Sequence, residues 1–177
     1  MNSQMNGKVS APMAGRNFLT HSAEETIQLG RQLARQLVPP VVVLLAGDLG
    51  AGKTTFAKGL VAGLGVAAEE EVTSPTFTLV QEYGPQQQKE KEDALRVYHV
   101  DLYRIDTERE METLGLEDLM AERAVVIVEW GQKLGSSFEN PWPGSPVLEV
   151  RMEAMMDTMN DTERRIEIRS AEPAGEK

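Results

Sequence analysis

Along the chain, two short apolar runs carry no polar interruption: VVVLLA at 41–46 and AVVIV at 124–128, the latter closed by Glu129. Runs of this length, rich in β-branched residues, suit strands buried on both faces of a sheet. Nearer the C-terminus, PVLEVRM and RRIEIRS alternate apolar with polar positions around a Met- and Asp-rich segment, which predicts a terminal hairpin. Helical spacing is carried by Thr26, Leu29, Leu33 and Leu37, behind Ser22 and Glu25 in the pattern of a capping box. Pro39-Pro40 should end that helix. A second helix is expected from near Gly52 to about Leu64, stopped by Gly63 and Gly65. TFTLVQEY (76–83) and LRVYHVDLYRI (95–105) read as strands, separated by the polar loop GPQQQKEKED. TEREMETLGLEDLM (107–120) reads as helix with an interruption at Gly115. Interleaved elements of both kinds predict an α/β fold whose sheet is partly parallel with antiparallel additions and is flanked by helices.

Length and composition narrow this picture. A chain of 177 residues suits one domain, expected over 18–170 between loose tails at 1–17 and 171–177. No apolar run reaches the roughly 18 residues that a membrane-spanning helix needs. The first residues lack the apolar core of a signal peptide, so a cytoplasmic protein is expected. The absence of cysteine excludes disulfides, thiolate metal sites and cysteine nucleophiles together. With 28 acidic against 18 basic residues the net charge is −10, a poor match for gripping DNA or RNA unaided. If nucleic acid enters the function, a partner should hold it.

Between the first buried strand and its helix lies Gly47-Asp48-Leu49-Gly50-Ala51-Gly52-Lys53-Thr54, a full match to G-x-x-x-x-G-K-S/T. Glycines let successive backbone N–H groups turn inward around a phosphate, and the helix N-terminus adds its dipole. In such loops the lysine reaches the β and γ phosphates and the hydroxyl ligates magnesium, which assigns those roles to Lys53 and Thr54. Four specified positions arise by accident in a chain this long less than about one time in a hundred. The motif predicts a P-loop NTPase-like central sheet, and it does not choose among kinases, GTPases, transporters and motors. No N-K-x-D stretch is present to read guanine and no L-S-G-G-Q stretch marks a transporter cassette, so adenine is the default base.

Phosphoryl transfer also needs a carboxylate near the magnesium and a group that orients the attacking oxygen. Asp101 closes VYHV and Glu129 closes AVVIV, both at strand C-termini, where α/β proteins build their sites. Asp101 reads as the magnesium-side acid, Glu129 as the base or water-orienting group. Thr73-Ser74-Pro75-Thr76 reads either as a switch loop or as an ordinary turn into a strand. His99 shares a strand face with Asp101, and structural and catalytic roles both stay open for it. Trp130 reads as packing or a lid, and Arg104 as an anion contact or an ion-pair partner. Met152, Met155, Met156 and Met159 read as edge packing.

Taken together, GDLGAGKTTFAKGL, TSPTFTLVQEY, YHVDLYR, TLGLEDL and VVIVEW closely resemble the TsaE family in order and spacing, over roughly residues 18 to 135. These are small ATPases needed to form threonylcarbamoyladenosine in bacterial transfer RNA. The resemblance implies that Lys53 and Thr54 bind ATP phosphates and magnesium (Mg2+), with Thr55 beside them. It implies a switch-like segment from Thr73 to Thr76, Asp101 at the magnesium, and Glu129 with Trp130 needed for hydrolysis. Whether Asp101 or Glu129 touches the metal directly stays open. Its implied partners are the TsaD and TsaB proteins, with tRNA met only through them. The loop at 84–94, the stretch VEWGQKLGSS and the Pro-rich stretch to Pro146 depart from the family pattern. A small-molecule kinase, or a nucleotide-gated binding module with little turnover, remains an alternative.

Overall fold

The computed structural model describes residues 13–84, 94–120, 123–155 and 162–171. Most of the loop expected at 84–94, the residues Met156 and Met159, and the outer parts of both expected tails lie outside the described residues. Ten elements follow in order: β1 (Arg16–Thr20), α1 (Ala23–Ala34), β2 (Val41–Ala46), α2 (Lys53–Gly63), β3 (Val80–Tyr83), β4 (Arg96–Asp101), α3 (Glu108–Glu112), β5 (Ala124–Glu129), β6 (Val147–Ala154) and β7 (Arg164–Ala171). They build one seven-stranded sheet of order β1-β7-β6-β2-β5-β4-β3. β6, β2, β5 and β4 run parallel at its centre, β3 on one edge and β7 beside β6 run antiparallel to them, and β1 pairs antiparallel with β7 at the far edge. This is the partly parallel α/β sheet that the pattern predicts.

The apolar runs take the two central places. Val41, Val43, Val125 and Ile127 face α1 and α2, where Leu33, Phe56 and Leu60 cover them. Val42, Val126 and Val128 face the opposite way, into a second core with Leu102, Met111, Leu116, Phe138 and Trp142. Residues of both parities are fully buried, which is why these strands show no alternation. The second face is closed by α3, short 3-10 turns and the segment 134–146 rather than by long helices, with the Trp142 indole N–H donating to the Leu116 carbonyl at 2.7 Å. β6 and β7 form the expected hairpin, and alternation puts Leu148, Val150, Ile166 and Ile168 on the α1–α2 side.

At the start of α1 the Glu25 N–H donates to Ser22 Oγ at 3.1 Å, and the Glu25 carboxylate accepts from the His21 N–H at 2.7 Å. α1 and α2 cross with glycine against glycine. A β-carbon on Gly59 would overlap the Ile27 carbonyl oxygen, and one on Gly30 would stand 2.5 Å from the Phe56 carbonyl oxygen. The contact therefore runs backbone to backbone, and it fixes the height of α2 above the sheet.

Four expectations need correction. α1 stops at Ala34, short of Pro39-Pro40, because Gln36 and Leu37 donate to Leu33 and Ala34 and tighten the last turn. The strand expected over 76–83 is only Val80–Tyr83: the Leu79 N–H bonds the Pro75 carbonyl at 2.6 Å and curls 76–79 into a turn. The run 95–105 is strand only to Asp101, after which Ile105 N–H bonds Leu102 and the chain turns away. The helix expected over 107–120 divides into α3 and a 3-10 turn at Leu116–Leu119, because Gly115 takes the left-handed conformation at φ 57°. The ordered fold also begins inside the stretch 1–17 expected as tail. Met13 is buried, Gly15 N–H bonds Ile168, and β1 starts at Arg16.

α3 has a complete capping box. Thr107 Oγ1 accepts from the Glu110 N–H at 3.3 Å, and the Glu110 carboxylate accepts from the N–H groups of Asp106 and Thr107. The bond from Asp106, then those of Thr107, hold the Glu110 carboxyl below its ordinary 4.5. A lowered carboxyl stabilises the fold above the ordinary pKa, and that contribution is lost as pH falls through the lowered value. Glu110→Ala should accordingly lower the melting temperature by about 2 °C at neutral pH, and the difference should close well below pH 4.5.

Candidate functional site

β2 delivers the chain into the glycine-rich turn and α2 receives it at Lys53. Gly47 leaves the strand at φ 153°, where a β-carbon would overlap the Met152 carbonyl oxygen and sit 2.9 Å from Ala51 Cβ. Gly52 caps α2 in the left-handed region at φ 100°, which turns the first N–H groups of the helix into the loop. The side chains of Asp48 and Leu49 are exposed, so these residues, with Gly50 and Ala51, contribute to the loop through their backbone. Lys53 is buried, and its Nζ donates to the carbonyls of Gly47 and Asp48, both at 2.7 Å. The same ammonium lies 4.0 Å from the centre of the Trp130 ring, in cation–π contact. Burial pushes its pKa down, while Glu129, Asp101 and Asp48 act in the opposite sense.

Across from the loop stand the two strand-end acids. Asp101 and Glu129 are direct neighbours in the parallel pairing of β4 and β5, and both are buried. Thr54, in the first turn of α2, donates its hydroxyl to both oxygens of Glu129, at 2.9 and 3.0 Å. His99 Nε2 lies 2.8 Å from Glu129 Oε1. Asp101 is held differently. Its Oδ2 accepts from Ser74 Oγ at 2.8 Å and Thr76 Oγ1 at 2.9 Å, and its Oδ1 accepts from the Tyr103 N–H at 2.8 Å. The loop at 73–76 is therefore tied to the end of β4 by two hydroxyls.

Lys53, Thr54, Thr76, Asp101, Glu129 and Trp130 thus converge on one end of the sheet. Thr55 lies half-buried on α2 behind this cluster, and Thr73 is exposed. Trp130 sits at φ 60°, with its ring 5.1 Å from that of Tyr103. Arg104 stacks 4.3 Å over Phe77, which is 80% exposed. The sequence marks Ser74 only as part of the Thr73–Thr76 loop, and it does not mark Tyr103 or Gln132. Ser74 had a legible signal, a hydroxyl two residues from Thr76, whereas Tyr103 acts through its backbone. Gln132 enters beside Gly47 as one wall of a cleft of about 750 Å3 that borders the loop, with Arg151, Met152 and Glu153 on the other side.

Among the described residues no group of three or more His, Cys, Asp or Glu side chains could cage a metal ion. Magnesium does not require such a cage: it keeps waters and takes one or two carboxylates together with substrate phosphates. The donors that meet here, the Thr54 hydroxyl hydrogen-bonded to Glu129 and the Asp101 carboxylate beside it, are hard oxygens of that kind, and they fit.

Comparison with known proteins points one way. The profile of the family described as threonylcarbamoyl adenosine biosynthesis protein TsaE matches residues 20–166. The tRNA threonylcarbamoyladenosine biosynthesis protein TsaE of Treponema pallidum (strain Nichols) is 37% identical over 118 residues, covering 67% of this chain and 80% of that one. The protein of the same name from Bacillus subtilis (strain 168) is 37% identical over 147 residues, covering 83% and 80%. The crystal structure of YdiB from Bacillus subtilis superposes with a TM-score of 0.59 at 30% identity, covering 89% of this chain and 85% of that one. Its sequence over most of its length and its fold place the chain in one family: it belongs to TsaE.

Proposed function

We propose that the protein binds and hydrolyses ATP in the formation of threonylcarbamoyladenosine on tRNA, acting on the TsaD–TsaB transferase pair. The observation that carries this reading is the hydrogen bond from Thr54 to both oxygens of Glu129, which joins a complete phosphate loop to a buried strand-end carboxylate. In this reading the loop N–H groups and the Lys53 ammonium bind the phosphates of ATP. Thr54, with Asp101 or Glu129, would hold magnesium, which neutralises charge on the phosphates when bound. Glu129 orients a water and takes its proton as the oxygen attacks the γ-phosphorus. The bond to the β-phosphate oxygen breaks, leaving ADP and phosphate. Trp130 covers Lys53 and limits access of bulk water to it.

The relatives' names supply the tRNA pathway. A net charge of −10 agrees with tRNA being held by the partners rather than by this chain. Among the described residues no helix is long and apolar enough to cross a membrane, and the proposed work lies in the cytoplasm.

The test is ATP hydrolysis by the pure protein, alone and with the TsaD–TsaB pair of its own organism. Turnover should rise with the pair, and Lys53→Ala should lower it by about a hundredfold or more. Turnover indifferent to the pair would remove the partner assignment, and phosphate transfer to an acceptor other than water would make the protein a kinase.

A further inference from the structure

We propose that His99 is a positioning residue that makes the two oxygens of Glu129 unequal and so aims one of them at the attacking water. This rests on the hydrolytic reading of the site. Glu129 is 3% exposed and has two side-chain donors among the described residues, Thr54 and His99. Thr54 cannot orient the carboxylate by itself. Its single hydroxyl is shared almost evenly between Oε1 and Oε2, so a flip of the carboxylate would present it with the same bond. His99 touches Oε1 alone, at 2.8 Å. With both donors in place Oε1 accepts two bonds, while Oε2 keeps lone-pair capacity for a further donor.

The fold makes this contact rigid. His99 is fully buried on β4, opposite Ile127, and its ring reaches Glu129 two residues further along β5 on the same face of the sheet. Nε2 must carry the proton, because an ionised carboxylate only accepts. The other ring nitrogen, Nδ1, is buried and has no hydrogen-bond partner among the described residues. A side chain present only to fill space would not need that unpartnered polar atom, and leucine would fill the position without it. What histidine supplies and leucine cannot is the bond from Nε2 to Oε1.

Chemistry offers a sharp test. The amide nitrogen of glutamine sits the same number of bonds from the backbone as Nε2, and that of asparagine the same number as Nδ1. His99→Gln should therefore keep most of kcat, while His99→Asn and His99→Leu should lower it about ten- to a hundredfold. KM for ATP and the affinity for a non-hydrolysable ATP analogue should stay within about threefold of wild type. In a Glu129→Gln background, His99→Leu should cause no further loss, because the residue acts through Glu129. Melting curves identify variants that fold, and should the leucine variant fail to, the glutamine–asparagine contrast decides alone. Unimpaired turnover in His99→Asn, glutamine no better than asparagine, or an additive loss in the Glu129→Gln background would each overturn the assignment. A wild-type protein with no turnover above the Lys53→Ala blank, alone or with the pair, would overturn the hydrolytic reading itself.

Discussion

Glu129→Gln is expected to cut ATP turnover by about a thousandfold while leaving ATP affinity within a few-fold of wild type. The substitution is chosen for what it preserves. Glutamine has the same length and volume, and its carbonyl oxygen can still accept from Thr54 and from His99, the two donors that hold the native carboxylate. The phosphate loop, Lys53 and the bonds of Asp101 to Ser74 and Thr76 are untouched. What is lost is the negative charge and the capacity to take a proton from water. Single-turnover hydrolysis measures the first quantity, and equilibrium binding of a non-hydrolysable analogue measures the second. A variant that binds ATP but no longer supports tRNA modification in cells would make hydrolysis the working step. Unchanged modification would mean that nucleotide binding alone controls docking, and the protein would be a gated binding module.

The second large effect lies far from any reacting atom. Gly59→Ala should destabilise the fold by about 3 kcal/mol, or lower the melting temperature by roughly 10 °C. The added β-carbon would collide with the Ile27 carbonyl oxygen and stand 3.0 Å from Gly30 Cα, and both of these belong to the backbone of α1. Flexible side chains can rotate away from an intruder, but two packed helices must separate. Alanine is otherwise the better helix former by about 1 kcal/mol, so any loss measured by chemical denaturation is the net of a larger collision. α2 also carries Lys53 and Thr54 at its first turn. Lifting it off α1 would draw Thr54 away from Glu129, so turnover should fall even at temperatures where the variant is folded. A variant as stable as wild type would mean that the helices are free to slide apart at this crossing.

The same glycines mark how far sequence could be read. Gly59 and Gly30 carry no local signal for their role, because the close approach exists only once two helices have been stacked. By contrast Val41–Ala46 and Ala124–Glu129 were legible because burial on both faces leaves no polar position to interrupt them. The start of α1 was legible because Ser22 and Glu25 satisfy backbone groups a few residues away. Thr76–Leu79 misled for a physical reason. Its alternation fits a strand, yet the Thr76 hydroxyl bonds Asp101, and the chain bends through Leu79 at φ 65°. Met13–Asn17 joined the fold without an apolar pattern of its own, by adding to the exposed edge of β7.

The site divides in the same way. Lys53 and Thr54 came from a contiguous motif, and Asp101 and Glu129 from their places at strand ends. The bond between His99 and Glu129 could not be read, because it depends on the register between β4 and β5, and one strand's pattern does not contain its neighbour's register.

Lys53 meets two carbonyl oxygens of its own loop at 2.7 Å each, so a phosphate that takes more than the third of its three N–H donors must displace a carbonyl. Carbonyls hold a cation as dipoles, whereas a polyphosphate holds it as a charge, and in a buried site that difference is large. If the site binds ATP as proposed, the lysine would act as a selectivity threshold that sorts ligands by charge before shape. On that reading an uncharged nucleoside would leave the ammonium where it is, so contacts to the base would be decoupled from any movement at this end of the sheet.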